Sequence, residues 1–326
     1  MIHGDVRRSH LERWLSEHFH GARFTLAPAS EDASFRRYFR ATLEDGRTFI
    51  AMDAPPDKED CRPFVHVAQL LKQAGVHAPE VHAQDLDAGF LLLSDLGTRT
   101  YLGVINDSNA GELFSDALDA LIAWQRATRR GELPPYDEAL LRREMNLFPE
   151  WYVKRHRGIE LNVAQSQVLE SVFAQLVKSA LAQPAVYVHR DYMPRNLMVS
   201  QPNPGVLDFQ DAVMGPITYD VVSLMRDAFL SWDEERVLDW TVRYWQKART
   251  AGLPVDGDFG EFWRAFEWMG LQRHLKVLGI FARINYRDGK PKYLADTPRF
   301  IAYARPVAKR YRELAPLLKV LDEIEP

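Results

Sequence analysis

His189-Arg190-Asp191-Tyr192-Met193-Pro194-Arg195-Asn196 stands directly after the short apolar run Ala185-Val186-Tyr187-Val188, and Leu207-Asp208-Phe209 follows, its aspartate twelve residues beyond Asn196. Transfer of a phosphoryl group needs one carboxylate to orient or accept the proton of the attacking hydroxyl. It also needs oxygen ligands that hold a divalent metal against the nucleotide phosphates. Asp191, Asn196 and Asp208 supply those parts in that order. Alone, Asp191 reads equally well as a structural carboxylate at a strand end; Asn196 and Asp208 behind it favour the catalytic reading.

Outward from this stretch, the chain divides by texture. Phe24 to Asp53 reads as three strands: one from Phe24, a second over Phe35–Leu43, and a third over Arg47–Asp53 after an Asp45-Gly46 hairpin turn. A helix is predicted from Pro63 to Ala74, with Gly75 placed where a left-handed cap needs it. Strands over Glu80–Gln84 and Gly89–Ser94 complete a five-strand lobe, and an amphipathic helix over Ser9–His20 precedes it as a lid. After Gly97 helical periodicity dominates, over 111–128, 137–156, 163–181, 218–230, 234–251, 260–285 and 299–324. Strands followed by helices predict an α+β protein of two lobes, 1–96 and 97–326. The quoted stretch forms a short non-helical insert in the second.

Composition bounds the function. Of 326 residues, 46% are hydrophobic and 26% charged, as in an ordinary globular enzyme, and the formal net charge of −4 argues against a nucleic-acid coat. The single cysteine, Cys61, excludes an intrachain disulfide framework and a cysteine-based zinc cluster, so a cytoplasmic setting is expected. No apolar run reaches the ~18–20 residues of a membrane span. The start Met1-Ile2-His3-Gly4-Asp5 carries no secretory pattern, so neither a membrane nor a nucleic-acid partner is expected.

With the strand-rich lobe ahead of it, the motif pair resembles the aminoglycoside phosphotransferase and choline kinase branch of the protein-kinase-like fold, over nearly the whole chain. The resemblance implies a two-lobed fold with a nucleotide-clamping lobe ending in the hinge Ser94-Asp95-Leu96-Gly97, ATP as phosphoryl donor, and Mg²⁺ as cofactor. It implies Asp191 as base, Asn196 and Asp208 as metal ligands, Ser94 and Leu96 against the adenine, and Asp220 of the Gly215-Pro216…Asp220 segment bracing the loop. Three stretches, Ser34–Arg40, Met52–Pro56 and Asp208–Asp220, are similar to the bacterial anomeric sugar kinases of cell-wall recycling. Those phosphorylate N-acetylmuramate and N-acetylglucosamine at C1, so a small amino sugar is the implied acceptor. The alternatives are a phosphotransferase for another hydroxyl (aminoglycoside, choline or homoserine), a non-catalytic pseudokinase, and a metal-dependent phosphohydrolase.

Two departures stand out. Kinases carry a lysine on the third strand for the α- and β-phosphates, but here that strand reads Phe49-Ile50-Ala51-Met52-Asp53, with Met52 or Ala51 in its place. The loop Ala29–Ser34 has no glycine. Arg36, Arg37 and Arg40 are the nearest cations, and Arg37 is expected to replace the lysine, with Ser34 donating a hydrogen bond to phosphate; as a group they also read as a solvated strand face. His189 reads as a loop brace rather than a base. Asp211 reads either as a substrate contact or as a solvated turn carboxylate, and Asp220, opening a helix, suits the helix dipole whatever its function. Trp151, Tyr152, Trp263 and Trp268 have core-like helical spacing.

Overall fold

The computed structural model describes residues 5–30 and 35–325, so Ser34 lies outside the described residues. Two compact units form. The first comprises residues up to Asn106 together with Arg195–Asp211, and the second comprises Asp107–Pro194 and Ala212–Pro326.

In the first unit, β1 (Phe24–Ser30), β2 (Arg37–Leu43), β3 (Thr48–Asp53), β4 (Val81–Asp85) and β5 (Phe90–Ser94) build an antiparallel sheet in the order β1-β2-β3-β5-β4. Register pairs Tyr38 with Met52 and Ile50 with Leu93. Because side chains alternate along a strand, Phe39, Ala51, Phe90 and Leu92 share a core with Leu11, Trp14 and Leu15 of α1 (Val6–His18). The amino-terminal helix is therefore part of this unit's core. Asp53, sealed from solvent at the end of β3, accepts from Arg7 Nε at 2.8 Å and Arg37 Nε at 3.0 Å, which ties α1 and β2 to the sheet. Helix α2 (Arg62–Gln73) ends as its sequence predicts: Gly75 has φ +74°, and Val76 N–H returns to Leu71 O at 3.0 Å.

The unit extends past the expected boundary at Leu96. It takes in α3 (Tyr101–Val104), and a distant piece of chain returns to it after the second unit's first strand, β6 (Ala185–Val188). That piece is the hairpin β7 (Leu197–Met198) and β8 (Gly205–Val206). Val199 N–H donates to Arg99 O at 2.8 Å and Val206 N–H to His77 O at 2.7 Å, stitching the hairpin to the hinge. Gly205 packs closely here: a Cβ would stand 2.7 Å from Leu96 Cδ1 and 2.9 Å from Ser200 Oγ, so a larger residue would require those side chains to move.

The second unit is helical around the pair β6 and β9 (Val213–Pro216), antiparallel with Val188 opposite Val213. Its helices are α4 (Ala110–Arg126), α5 (Glu138–Met145), α6 (Val163–Ala182), α7 (Tyr219–Met225), α8 (Glu234–Thr250), α9 (Phe259–Asp288), α10 (Thr297–Arg310) and α11 (Pro316–Ile324). Three spans differ from expectation. The helix predicted over 137–156 becomes α5 followed by a π-helical stretch, Phe148–His156, because Pro149 has no N–H to continue the ladder. The one predicted over 218–230 stops at Met225, and the buried Asp227 carboxylate then turns the chain by accepting Phe229 N–H at 3.3 Å. The span 299–324 is two helices, broken at 311–315: Tyr311 is extended at φ −111°, ψ 121°, and α11 restarts at Pro316, whose missing N–H is tolerated at a first helical position. Helix α9 is the axis of the unit, and a Cβ at Gly279 would stand 2.3 Å from the Leu147 carbonyl carbon. Tyr152 and Trp268 are buried as their spacing predicts, while Trp151 and Trp263 are half-buried. Among the described residues, no helix is long and apolar enough to cross a membrane.

His274 of α9 lies buried against the Phe300 and Tyr303 rings, and burial, with Arg273 and Arg226 nearby, holds the imidazole well below its ordinary 6.5. Unfolding lets it take up a proton that the folded chain refuses, so its contribution to stability is complete above about pH 6.5 and is lost as pH falls below it. Asp220 and Asp227, which burial pushes up to about 7 and about 6, act in the opposite sense, so the test is a difference. The unfolding free energy of wild type minus that of His274→Gln is expected to decline between about pH 7 and pH 5, by at most about 1.4 kcal/mol per pH unit. A flat difference across that range refutes the assignment.

Candidate active site

In the second unit, β6 ends at Val188 and the chain turns at Arg190, which has φ +77°. A non-glycine residue stays in that region only when its surroundings hold it there, and here the holder is the fully buried Asp220 on the first turn of α7. One carboxylate oxygen accepts His189 N–H at 2.7 Å and the other accepts Arg190 N–H at 3.0 Å. The Asp191 N–H donates to His189 Nδ1 at 3.2 Å, so that ring nitrogen is the acceptor and the proton sits on Nε2. His189 is therefore joined to the loop as a brace. Tyr192 anchors the far side by donating its hydroxyl to Ala117 O at 2.7 Å.

A buried charge cluster stands behind this turn. Glu144 of α5 accepts from Arg190, from the Tyr136 hydroxyl and from Lys276 of α9, the last at 3.0 Å, and Lys276 also donates to the Tyr219 hydroxyl at 2.9 Å. Burial alone would raise the Glu144 carboxyl, but Lys276 and Arg190 outweigh it and hold the group below its ordinary range. Lys276 and Arg190 are both raised: burial opposes their charge, and Glu144, the neighbouring tyrosines and Asp191 together favour it more strongly. Two cations around one carboxylate leave a net positive charge, and Asp191 is the further anion that faces it.

In the first unit, Asn196 and Asp208 flank the β7–β8 hairpin. Leu207 N–H donates to Asn196 O at 2.9 Å, and Asn196 Nδ2 reaches Asp208 Oδ2 at 3.3 Å. Asp208 has φ +63°, a conformation aspartate tolerates better than most side chains, and Gln210 Nε2 steadies its other oxygen at 2.9 Å. Next to it, the buried Phe209 stacks on Phe64 of α2, with ring centroids 4.7 Å apart. Both oxygen-bearing side chains line a cavity of about 290 Å³. Ile50, Leu93, Met198 and Leu207 supply its apolar walls, suited to a planar base, and Ser94, Leu96 and Arg40 also line it. The side chain of Ser94 accepts Glu80 N–H at 2.9 Å. An adjacent amide and carboxylate on one wall fit a hard cation that completes its shell with phosphate and water oxygens. No group of three or more His, Cys, Asp or Glu able to hold a metal occurs among the described residues. A larger hollow of about 480 Å³ in the second unit, lined by residues such as Lys178, Arg264 and Trp268, contains none of the motif residues.

The three arginines separate. Arg37 lies between Asp53 and Asp5, Arg40 bonds Asp95 at 2.6 and 3.0 Å and Gly97 O at 2.9 Å, and Arg36 bonds Glu59 at 2.9 Å. Asp211 is exposed. Sequence reasoning missed Glu59, Glu144 and Lys276. Glu59 sits in the run 55–62 with nothing to mark it, whereas Lys276 is followed by the apolar stretch Val277-Leu278-Gly279-Ile280-Phe281 and preceded by Leu275.

A carboxylate presented at a strand end and followed in the chain by an amide–carboxylate pair beside a base-sized cavity is the layout by which kinases move a phosphoryl group. The class is that of phosphotransferases with a protein-kinase-like fold. The chain belongs to the Phosphotransferase enzyme family, whose sequence pattern matches residues 25–255, and membership implies use of ATP with a divalent metal. Among curated proteins, it is 60% identical to an N-acetylmuramate/N-acetylglucosamine kinase of Pseudomonas aeruginosa, over 92% of this chain and 88% of that protein. It is 55% identical to the protein of the same name from Pseudomonas putida (98% and 97% covered), and 50% identical to that of Neisseria meningitidis (98% and 96%). Among solved structures, a choline/ethanolamine kinase family protein from Mesorhizobium loti shares the fold with a TM-score of 0.63 at 14% identity, covering 97% of this chain and 99% of that one.

Replacing Asp220 by alanine removes the acceptor of two buried N–H groups, at about 1–3 kcal/mol each, and frees the turn that carries Asp191. Turnover is expected to fall on the order of 10²-fold, as for a reacting group displaced by about 1 Å, with Asp220→Asn, which keeps one acceptor oxygen, falling less. Steady-state kinetics beside thermal melts check this; full turnover in Asp220→Ala would show that the brace is dispensable.

Proposed function

We propose that this protein is an ATP-dependent sugar kinase that transfers the γ-phosphate to the anomeric C1 hydroxyl of N-acetylmuramate, N-acetylglucosamine or both, as in peptidoglycan recycling. The observation that carries this reading is identity of 50–60% over nearly the full length to relatives named for those two sugars, joined to the Asp191, Asn196 and Asp208 set.

In this reading Asp191 accepts a hydrogen bond from the C1 hydroxyl and takes its proton as the oxygen bonds to the γ-phosphorus and the bond to the ADP oxygen breaks. An anomeric hydroxyl is more acidic than an ordinary alcohol, so the demand on Asp191 as a base is modest and its main contribution is orientation. Asn196 and Asp208 would hold Mg²⁺, which supplies charge neutralisation at the β- and γ-phosphates when bound. Ser94 and Leu96 receive the adenine, and Asp211 faces the acceptor. The Glu144–Arg190–Lys276 cluster keeps the Asp191 turn rigid and places positive charge behind it.

ADP release with Mg·ATP across amino sugars, aminoglycosides and choline is the test, with the product assayed for a free reducing end. The two N-acetylated sugars are expected to be phosphorylated with loss of the reducing end; a product that keeps it would sink the anomeric reading. Asp191→Asn is expected to lower turnover on the order of 10²–10⁴-fold with less effect on ATP affinity. Asp208→Ala is expected to abolish metal-dependent turnover, and activity surviving at ordinary Mg²⁺ concentration would remove Asp208 from the ligand set.

A further inference from the structure

The third strand poses a problem that the rest of the first unit answers. Along β3, Ile50 lines the cavity and Met52, two residues on, shares its side, while Ala51 packs on α1. Met52 therefore occupies the position from which kinases extend a lysine to the phosphates, and it carries no charge. Its partner across the ladder is Tyr38, and on β2 the alternation sorts the arginines. Tyr38 and Arg40 line the cavity, whereas Phe39 packs in the α1 core and Arg37 reaches Asp53 and Asp5 on that same side. Arg36 stands one residue ahead of β2, two before the cavity-lining Tyr38.

The surroundings of Arg36 differ from those of the other two. Its side chain is 12% exposed, and Nη2 donates to Glu59 Oε2 at 2.9 Å. Glu59 lies just ahead of α2, the helix whose Phe64 stacks on Phe209 beside Asp208. Asp208 and Asp211 are both close enough to favour the charged guanidinium, together with Tyr38 and Glu59, against the burial that opposes it. A permanently charged fork, oriented by one carboxylate and set beside the metal-binding carboxylate, matches phosphate oxygens. Arg37 instead closes a structural bridge between β2, β3 and α1.

We propose that Arg36, seated by Glu59, is the phosphate-binding cation of this site, performing from the head of β2 the task that a third-strand lysine performs in other kinases. The Arg36–Glu59 pair then stands where those enzymes have a lysine–glutamate pair between the third strand and the helix after it. This rests on the reading of the protein as an ATP-dependent kinase, and the experiment separates the two.

Binding of ATP, ADP and adenosine is measured by calorimetry on wild type, Arg36→Met, Arg36→Lys and Glu59→Gln, with circular dichroism to confirm folding. Arg36→Met is expected to lose about tenfold to a hundredfold in affinity for ATP and ADP, the scale of one or two charge-assisted hydrogen bonds, while adenosine binds as to wild type. The Michaelis constant for ATP rises with it, and that for the sugar stays near its wild-type value. Arg36→Lys keeps the charge without the fork and should fall between wild type and Arg36→Met. Glu59→Gln should weaken ATP and ADP without weakening adenosine. Unchanged ATP affinity in the Arg36 variants overturns the inference, as does a parallel loss of adenosine binding, which marks a structural role. Loss of phosphate-dependent affinity in Arg37→Met with none in Arg36→Met returns the task to Arg37. A wild-type protein that binds ATP through Arg36 yet phosphorylates no amino sugar would refute the acceptor reading and leave this one standing.

Discussion

A carboxylate sealed from water must have its oxygens filled, and at Asp220 two consecutive backbone N–H groups fill them. The consequence runs both ways along the chain. His189 and Arg190 give up their N–H groups to a side chain, so β6 cannot continue as a strand and the backbone swings through the positive φ of Arg190. That swing sends the Arg190 guanidinium toward Glu144 and leaves Asp191 as the residue that emerges from the turn. Burial drives the Asp220 carboxyl up to about 7, and the two N–H donors act against that shift in favour of the charged form. The β6–β9 pairing sets Pro216, at the end of β9, opposite Ala185 at the start of β6, and the first turn of α7 then carries Asp220 to the backbone that follows Val188.

The charge cluster behind the turn follows the rule that buried ions need partners and hydrogen bonds together. Glu144 has two cations and a tyrosine hydroxyl; Lys276 has a carboxylate and a second hydroxyl. Removing either member would strand the others, so this part of the second unit tolerates little change in residue type. A fully paired network is also stiff, so the turn that carries Asp191 is held in one shape.

How much of this was legible in the sequence depended on distance along the chain. The order Asp191, Asn196, Asp208 is visible in the sequence because the three fall within about twenty residues of one another. The five strands were readable from alternation and from Gly46 and Gly75, whose positive φ values the turn types demand. What could not be read were pairings between distant positions. Lys276 and Glu144 are each unremarkable in their helices, and only packing of α9 along α5 joins them. The return of the β7–β8 hairpin to the first unit joins positions about a hundred residues apart, with Val199 and Val206 N–H bonded to Arg99 and His77, Thr100 bridged to Met198, and His77 beside Ser200. Where a local cue existed and was overridden, as with Pro149 and Pro316, each proline stands in the first turn of a new helical segment, where its missing N–H is tolerated.

The arginines of β2 show why residue type alone misleads in such a case. Arg36 and Arg37 are adjacent and chemically identical, yet Arg36 pairs with Glu59 and is favoured in its charged form by Asp208, while Arg37 bonds Asp53 and Asp5 on the α1 side. On the α1 side, Asp53 is fully buried and already bonded by Arg7, so withdrawing Arg37 toward a ligand would strip a buried carboxylate of one of its two cations. Arg36 instead donates from Nη2 to Glu59 Oε2, and its planar, permanently charged fork suits phosphate oxygens. A methionine at position 52 then needs no compensation within its own strand. Its neighbour across the ladder is an uncharged tyrosine, and the cation stands one residue ahead of β2, held by Glu59 ahead of the helix that also packs on Phe209.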